Sequence, residues 1–67
     1  MIKDILQDEF MDYREVYAIA ESRGVKKSKI KAEKRAEGIQ TISVKWGDET
    51  IYLWFDPEKI VKKYART

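Results

Sequence analysis

The chain has 67 residues, with 14 Lys and Arg against 12 Asp and Glu, and neither Cys nor His. It therefore builds one core of modest reserve without disulfides, a thiolate metal site, the commonest zinc ligand or the commonest general base. A catalytic cleft has little room, so no enzymatic activity, cofactor or metal is expected, and stability falls to packing, caps and an aromatic set of two Trp, four Tyr and two Phe.

Ile2, Ile5, Leu6 and Phe10 share one face of a first helix expected to end near Met11. Asp12 followed by Glu15 is a capping-box start for a second helix, with Tyr13, Val16, Tyr17 and Ala20 on one face and Gly24 as its stop. Val25 is placed to plug the gap before a third helix over 27–37, whose apolar seam rests on Ile30 with Ala32 and Ala36 and which Gly38 closes. Two β-prone runs follow, Ile39 to Trp46 and Thr50 to Phe55. A tight turn at Gly47-Asp48 pairs residues whose numbers sum to an odd value. It puts Ile42, Val44 and Trp46 on one face with Ile51, Leu53 and Phe55, the face expected to pack on the helices. Tyr52 and Trp54 fall on the other, which the last helix is expected to cover in part. Asp56-Pro57 starts that fourth helix, as cap and first helical residue. It runs to about Ala65, with Ile60, Val61 and Tyr64 as an apolar edge and Lys59, Lys62, Lys63 and Arg66 as a basic one.

The net charge of +2 conceals a segregation: residues 1–22 balance at −4, 23–37 at +5, 38–56 at −2 and 57–67 at +3. A basic block inside an otherwise acidic chain is the footprint of a local binding surface. No run reaches the roughly 18 to 20 apolar residues of a membrane span, and the start Met-Ile-Lys-Asp has no apolar signal core. A cytoplasmic location and no membrane partner are expected.

Two helices joined by a tight Gly-Val turn form a helix-turn-helix, in which the second helix is presented to the DNA major groove, and a hairpin after it serves as a wing. The expected fold is α+β, a small winged helix-turn-helix over 1–67. It has three helices, a two-stranded antiparallel hairpin and a short C-terminal helix. At 100° per residue, Lys27, Lys31, Lys34 and Arg35 fall within about a 100° stripe of the third helix, with Lys26 and Lys29 just outside. Six cations in ten residues repel one another unless a polyanion offsets them, and DNA phosphates do so while releasing condensed counterions.

The candidate DNA-binding residues are Lys26, Lys27, Ser28, Lys29, Lys31, Lys34 and Arg35. Lys45 near the hairpin tip and the basic edge of the last helix are placed for flanking phosphates. Arg35 is the foremost candidate for a base edge. The chain has no Asn, and Gln7 and Gln40 lie outside the helix, so bidentate adenine readout is not expected and sequence preference should be weak. Duplex DNA is the favoured partner. Single strands, stacking on Tyr52 and Trp54, come second, against the plainer reading of both rings as core. Asp4, Asp8, Glu9, Asp12 and Glu15 have no partner ligand spaced for a metal or a catalytic pair and are expected to solvate the face away from DNA. The rival to DNA binding is a protein-interaction adaptor or inhibitor using the acidic first helices or the aromatic hairpin face; the plain alternative for the lysines is a solvated surface.

Ile5-Leu6, Ala20, Gly24-Val25 with Ile30, Gly38-Ile39 and the ending Tyr52-Leu53-Trp54-Phe55 carry a resemblance. From Ile5 to Phe55 the chain resembles the small winged-helix segment at the C-terminal end of plasmid and phage replicative helicases and primase-helicases. It departs from that pattern at Glu33 and Glu37, where the family has an alanine and a leucine facing the core, and at Lys26, where it has a cap serine. The resemblance implies a module that touches DNA during replication of a mobile element, beside a protein or domain that hydrolyses ATP. Excisionase-like architectural proteins, which bend DNA for recombination, are similar in size and layout and form the second likeness.

Overall fold

The computed structural model describes residues 1–65, so the expected basic contribution of Arg66 lies outside the described residues. Its elements run α1 (Ile2–Leu6), β1 (Met11–Asp12), α2 (Tyr13–Ser22), α3 (Lys27–Ala36), β2 (Gln40–Trp46), β3 (Glu49–Phe55) and α4 (Pro57–Tyr64). The class is α+β, but the expected two-stranded hairpin is corrected to a three-stranded antiparallel sheet in the order β1-β3-β2. The extra strand arises because α1 stops at Leu6, not near Met11. Gln7 takes a positive φ of 53° and donates its amide to the Lys3 carbonyl at 2.8 Å. The freed chain then runs along the open edge of β3, pairing Met11 with Trp54 and Asp12 with Leu53. Two residues carry no side-chain period, so main-chain pairing alone makes this strand.

Asp12 caps α2 as expected, but its carboxylate accepts from the Arg14 amide at 2.9 Å, while the Arg14 guanidinium closes back onto it at 2.9 and 3.2 Å. Glu15 makes no return bond to the cap, so the expected capping box is reduced to its Asp12 half. At the far end Gly24, with φ 81°, lets its amide reach the Glu21 carbonyl and the Val25 amide reach that of Ala20. An L side chain is strained in that conformation, which is why the stop falls on glycine. Val25 then packs against the core, as a plug between α2 and α3 should.

The core gathers Ile2, Ile5, Leu6, Val16, Ala20, Ile30, Ile39 and Trp54. α3 contributes to it through Ile30 alone, and the expected seam of Ala32 and Ala36 is corrected, because both are exposed. The side of α3 next to Ile30 instead carries Glu37, immediately past the helix end. Its carboxylate accepts from the Met1 amino group at 2.6 Å and from the amides of Ile2 and Lys3 at 3.3 and 2.8 Å. Those are orphan first-turn donors of α1, so a carboxylate from another element does the work of a cap.

The hairpin register is as expected: Ile42 faces Leu53, Val44 faces Ile51, and the turn is Gly47-Asp48. The packed face is the reverse of the expected one. Trp54 is 6% exposed and meets Tyr17 at 5.5 Å, and Tyr52 meets Tyr13 at 6.1 Å, so this side of the ribbon faces the helices. Tyr13 and Tyr17 offer an aromatic surface that edge-to-face contacts with Trp54 and Tyr52 satisfy better than aliphatic groups do. Ile42, Val44 and Trp46 point outward and stay exposed.

α4 starts at Asp56, buried, whose carboxylate accepts from the Glu58 amide at 3.1 Å. α4 buries no residue fully and leaves Val61 and Tyr64 exposed, so the expected covering of the second hairpin face is not made. No helix among the described residues is long and apolar enough to cross a membrane.

Candidate nucleic-acid interface

Ile30 fixes how α3 is rotated. With that side chain buried, Ser28, Ala32 and Arg35 lie within about 40° of the opposite, outward direction. Lys31 flanks them on the side of the ribbon, and Lys29 flanks them on the other. Lys26, Lys27, Ser28, Lys29, Lys31 and Arg35 are all exposed, and the two outward alanines leave a shallow notch between Lys31 and Arg35. Small side chains at the crest of a cationic helix let its backbone approach a ligand closely.

Ion pairs concentrate away from this surface, with Lys59 of α4 and Arg23 after α2 also outside any ion pair among the described residues. Lys3 and Lys62 are bridged to Glu58 at 3.9 and 3.6 Å, Arg14 to Asp12 at 2.9 Å, and Lys63 to Asp8 and Glu9 at 4.0 and 3.9 Å. Among the described residues, Lys26, Lys27, Lys29, Lys31, Arg35 and Lys45 meet no carboxylate within that range. The expected phosphate contact from the last helix is weakened accordingly, since Lys63 is turned onto Asp8, where it also donates to the main-chain oxygen at 3.4 Å.

Lys34 departs from the expected stripe. It is half-buried, with its ammonium 5.2 Å from the Trp54 ring centroid, so it joins α3 to the sheet through a cation–π contact. Lys45 lies on the same sheet face as Tyr52 and Trp54, directly across from Thr50. That face of the projecting ribbon therefore carries Thr41, Ser43, Lys45 and Thr50, donors suited to a sugar-phosphate chain, and it looks to the same side as α3.

A second lining element was missed by the sequence reading. Tyr13, Arg14, Tyr17 and, at its margin, Glu21 of α2 form a groove with Lys27 and Lys31 of α3. The two tyrosine rings sit edge to face at 6.1 Å, and burial pushes the Tyr17 phenol above its ordinary range, keeping it neutral. Tyr13 and Tyr17, expected on one face of the second helix with Val16 and Ala20, are half-buried and also line the groove. The signal was Arg14 between them, a cation on the outer flank of an apolar face.

Asp12 is held below the usual carboxylate range by hydrogen bonds from Arg14, whose own guanidinium is stabilised in turn. No group of three or more acidic side chains among the described residues is gathered to share a metal ion. Comparison of the chain with protein families, with curated proteins and with solved structures finds no match.

Proposed function

We propose that the chain is a DNA-binding module that lays α3 into the major groove of a duplex and rests the inner face of the β2–β3 ribbon on the neighbouring backbone. The observation that carries this reading is the ridge of cations on and beside α3 that no carboxylate neutralises, in a molecule whose other basic side chains include four tied to acidic ones. Unpaired like charges three or four residues apart, as Lys27 and Lys31 or Lys31 and Arg35 are, lower the stability of the helix that bears them, and a phosphate backbone offsets that cost.

Lys27 and Lys31 are assigned to phosphates, Arg35 and Ser28 to base edges, and Ala32 to the close approach. One guanidinium at the crest and no Asn or Gln on the helix give weak sequence preference, with guanine favoured at a single position. Tyr52, half exposed, supports a subsidiary affinity for unpaired bases; Trp54 is core. A part in replication or recombination of a mobile element rests on the resemblance of the Gly24-Val25, Gly38-Ile39 and Tyr52-Leu53-Trp54-Phe55 segments alone.

Replacing Lys27, Lys31 and Arg35 together by alanine tests the assignment, because all three are exposed and free of packing. Fluorescence anisotropy with a labelled duplex should show micromolar binding at low salt by the parent chain and at least a hundredfold loss in the variant, at unchanged circular dichroism. Equal binding by the variant overturns the reading. Protein association is supported by a different surface, the outward aliphatic face of the ribbon.

A further inference from the structure

The outer face of the β2–β3 ribbon carries an apolar stripe, bordered by Gln40 and Asp12 toward the base and Glu49 at the tip. Ile42, Val44, Ile51, Leu53 and Phe55 form two facing rows, with Trp46 at the tip. Ile42 and Val44 are each 38% exposed and Trp46 is 84% exposed. Phe10, 39% exposed, extends the face at the other end, its ring 5.0 Å from that of Phe55. The charged side chains on this face lie at its margins: Glu49, across from Trp46 at the tip, and on the β1 edge Asp12, across from Leu53 and paired with Arg14 at 2.9 Å. β2 is also an outer strand of the sheet, exposed at every residue. Aliphatic alternation of this kind ordinarily marks a covered surface, yet α4 leaves it open.

We infer that this face is the seat of a second copy of the same chain, packed sheet against sheet about a two-fold axis. Three features select a copy over another partner. The middle of the face is without charge and the Asp12–Arg14 pair at its margin is neutralised internally, so it offers little to a strongly acidic or basic surface and does not repel a like face.

Its two ends are complementary to each other. Trp46 projects at the tip and the Phe10–Phe55 pair opens at the base, about 20 Å away along a seven-residue strand. An antiparallel two-fold sets each Trp46 on the partner's phenylalanine pair, as an isologous interface requires.

The area is also sufficient for a weak dimer. Trp46 alone presents on the order of 200 Å², and the whole face about 500 Å² per copy, a total near 1,000 Å² that reaches the lower bound of specific interfaces. Sheets packed in this way lie about 10 Å apart, and the α3 ridges then point away from each other, leaving two outward DNA-binding surfaces.

Sedimentation velocity without DNA, from about 5 to about 500 µM, tests the proposal in the affinity range of interfaces this size. The parent chain should pass from monomer to dimer mass with half-association on the order of 100 µM, while the Trp46 emission shifts to the blue. W46S and V44K should remain monomeric throughout, and W46S, altered at the tip where nothing packs, decides the matter if V44K fails to fold. A parent chain that stays monomeric at the highest concentration, or a dimer undiminished in W46S, overturns the inference. Because no nucleic acid is present, either outcome leaves the DNA-binding assignment untouched.

Discussion

Glu37 shows how one residue can look misplaced in sequence and be structural in the fold. At a position read as core-facing, its carboxylate instead gathers the amino group of Met1 and the amides of Ile2 and Lys3, tying the end of α3 to the start of α1. Burial pushes this carboxyl up, but the amino group and the Lys3 amide outweigh it and hold the group below its ordinary value of 4.5. A depressed folded value means stability that is present above about pH 4.5 and lost as pH falls through the lower folded value. Urea denaturation at neutral pH should find Glu37→Gln less stable by about 1 to 2 kcal/mol. The gap between variant and parent should narrow on acidification below pH 4.5 and not widen. Spacing alone hid this role, because a carboxylate reaching 34 to 36 residues back leaves no local pattern.

At the scale of elements, caps and register were legible and faces were not. Asp12, Gly24, Gly38, Gly47 and the Asp56-Pro57 pair act through their own backbone, so their positions mark the element ends directly. The pairing of Ile42 with Leu53 followed from the length of the turn. Which side of the ribbon is buried did not follow, because β3 is apolar on both sides, with Ile51, Leu53 and Phe55 against Tyr52 and Trp54. The choice is made by Tyr13 and Tyr17 on another element, and β1 was hidden because two residues have no alternation to read.

The same limit applied to α3. The stripe of cations could be counted, but its rotation waited on Ile30, which moves Lys34 under the sheet and Ala32 to the crest. Ala32→Glu should therefore weaken duplex binding roughly tenfold or more, since a carboxylate is set against phosphates. Thermal unfolding should stay within about 0.5 kcal/mol of the parent, as at other surface sites. Unchanged affinity in that variant would place the groove-facing crest elsewhere on the helix.

Across the whole molecule the charges are sorted by face. Acidic side chains at Asp8, Glu9, Asp12 and Glu58 hold nearby cations, while α3, its preceding turn and the inner side of the ribbon keep theirs free. The segregation in sequence, −4 over 1–22 and +5 over 23–37, foreshadowed this sorting. It could not show that Lys63 is consumed internally, or that the apolar side of the ribbon faces solvent.

The central claim is that free cations of one face meet phosphates, and it is tested most directly by following duplex affinity against salt. Four phosphate contacts from Lys26, Lys27, Lys31 and Lys45 predict a slope of log K against log salt of about −3.6, with weaker dependence for a single strand. Affinity indifferent to salt, or no binding even at about 50 mM, contradicts the account.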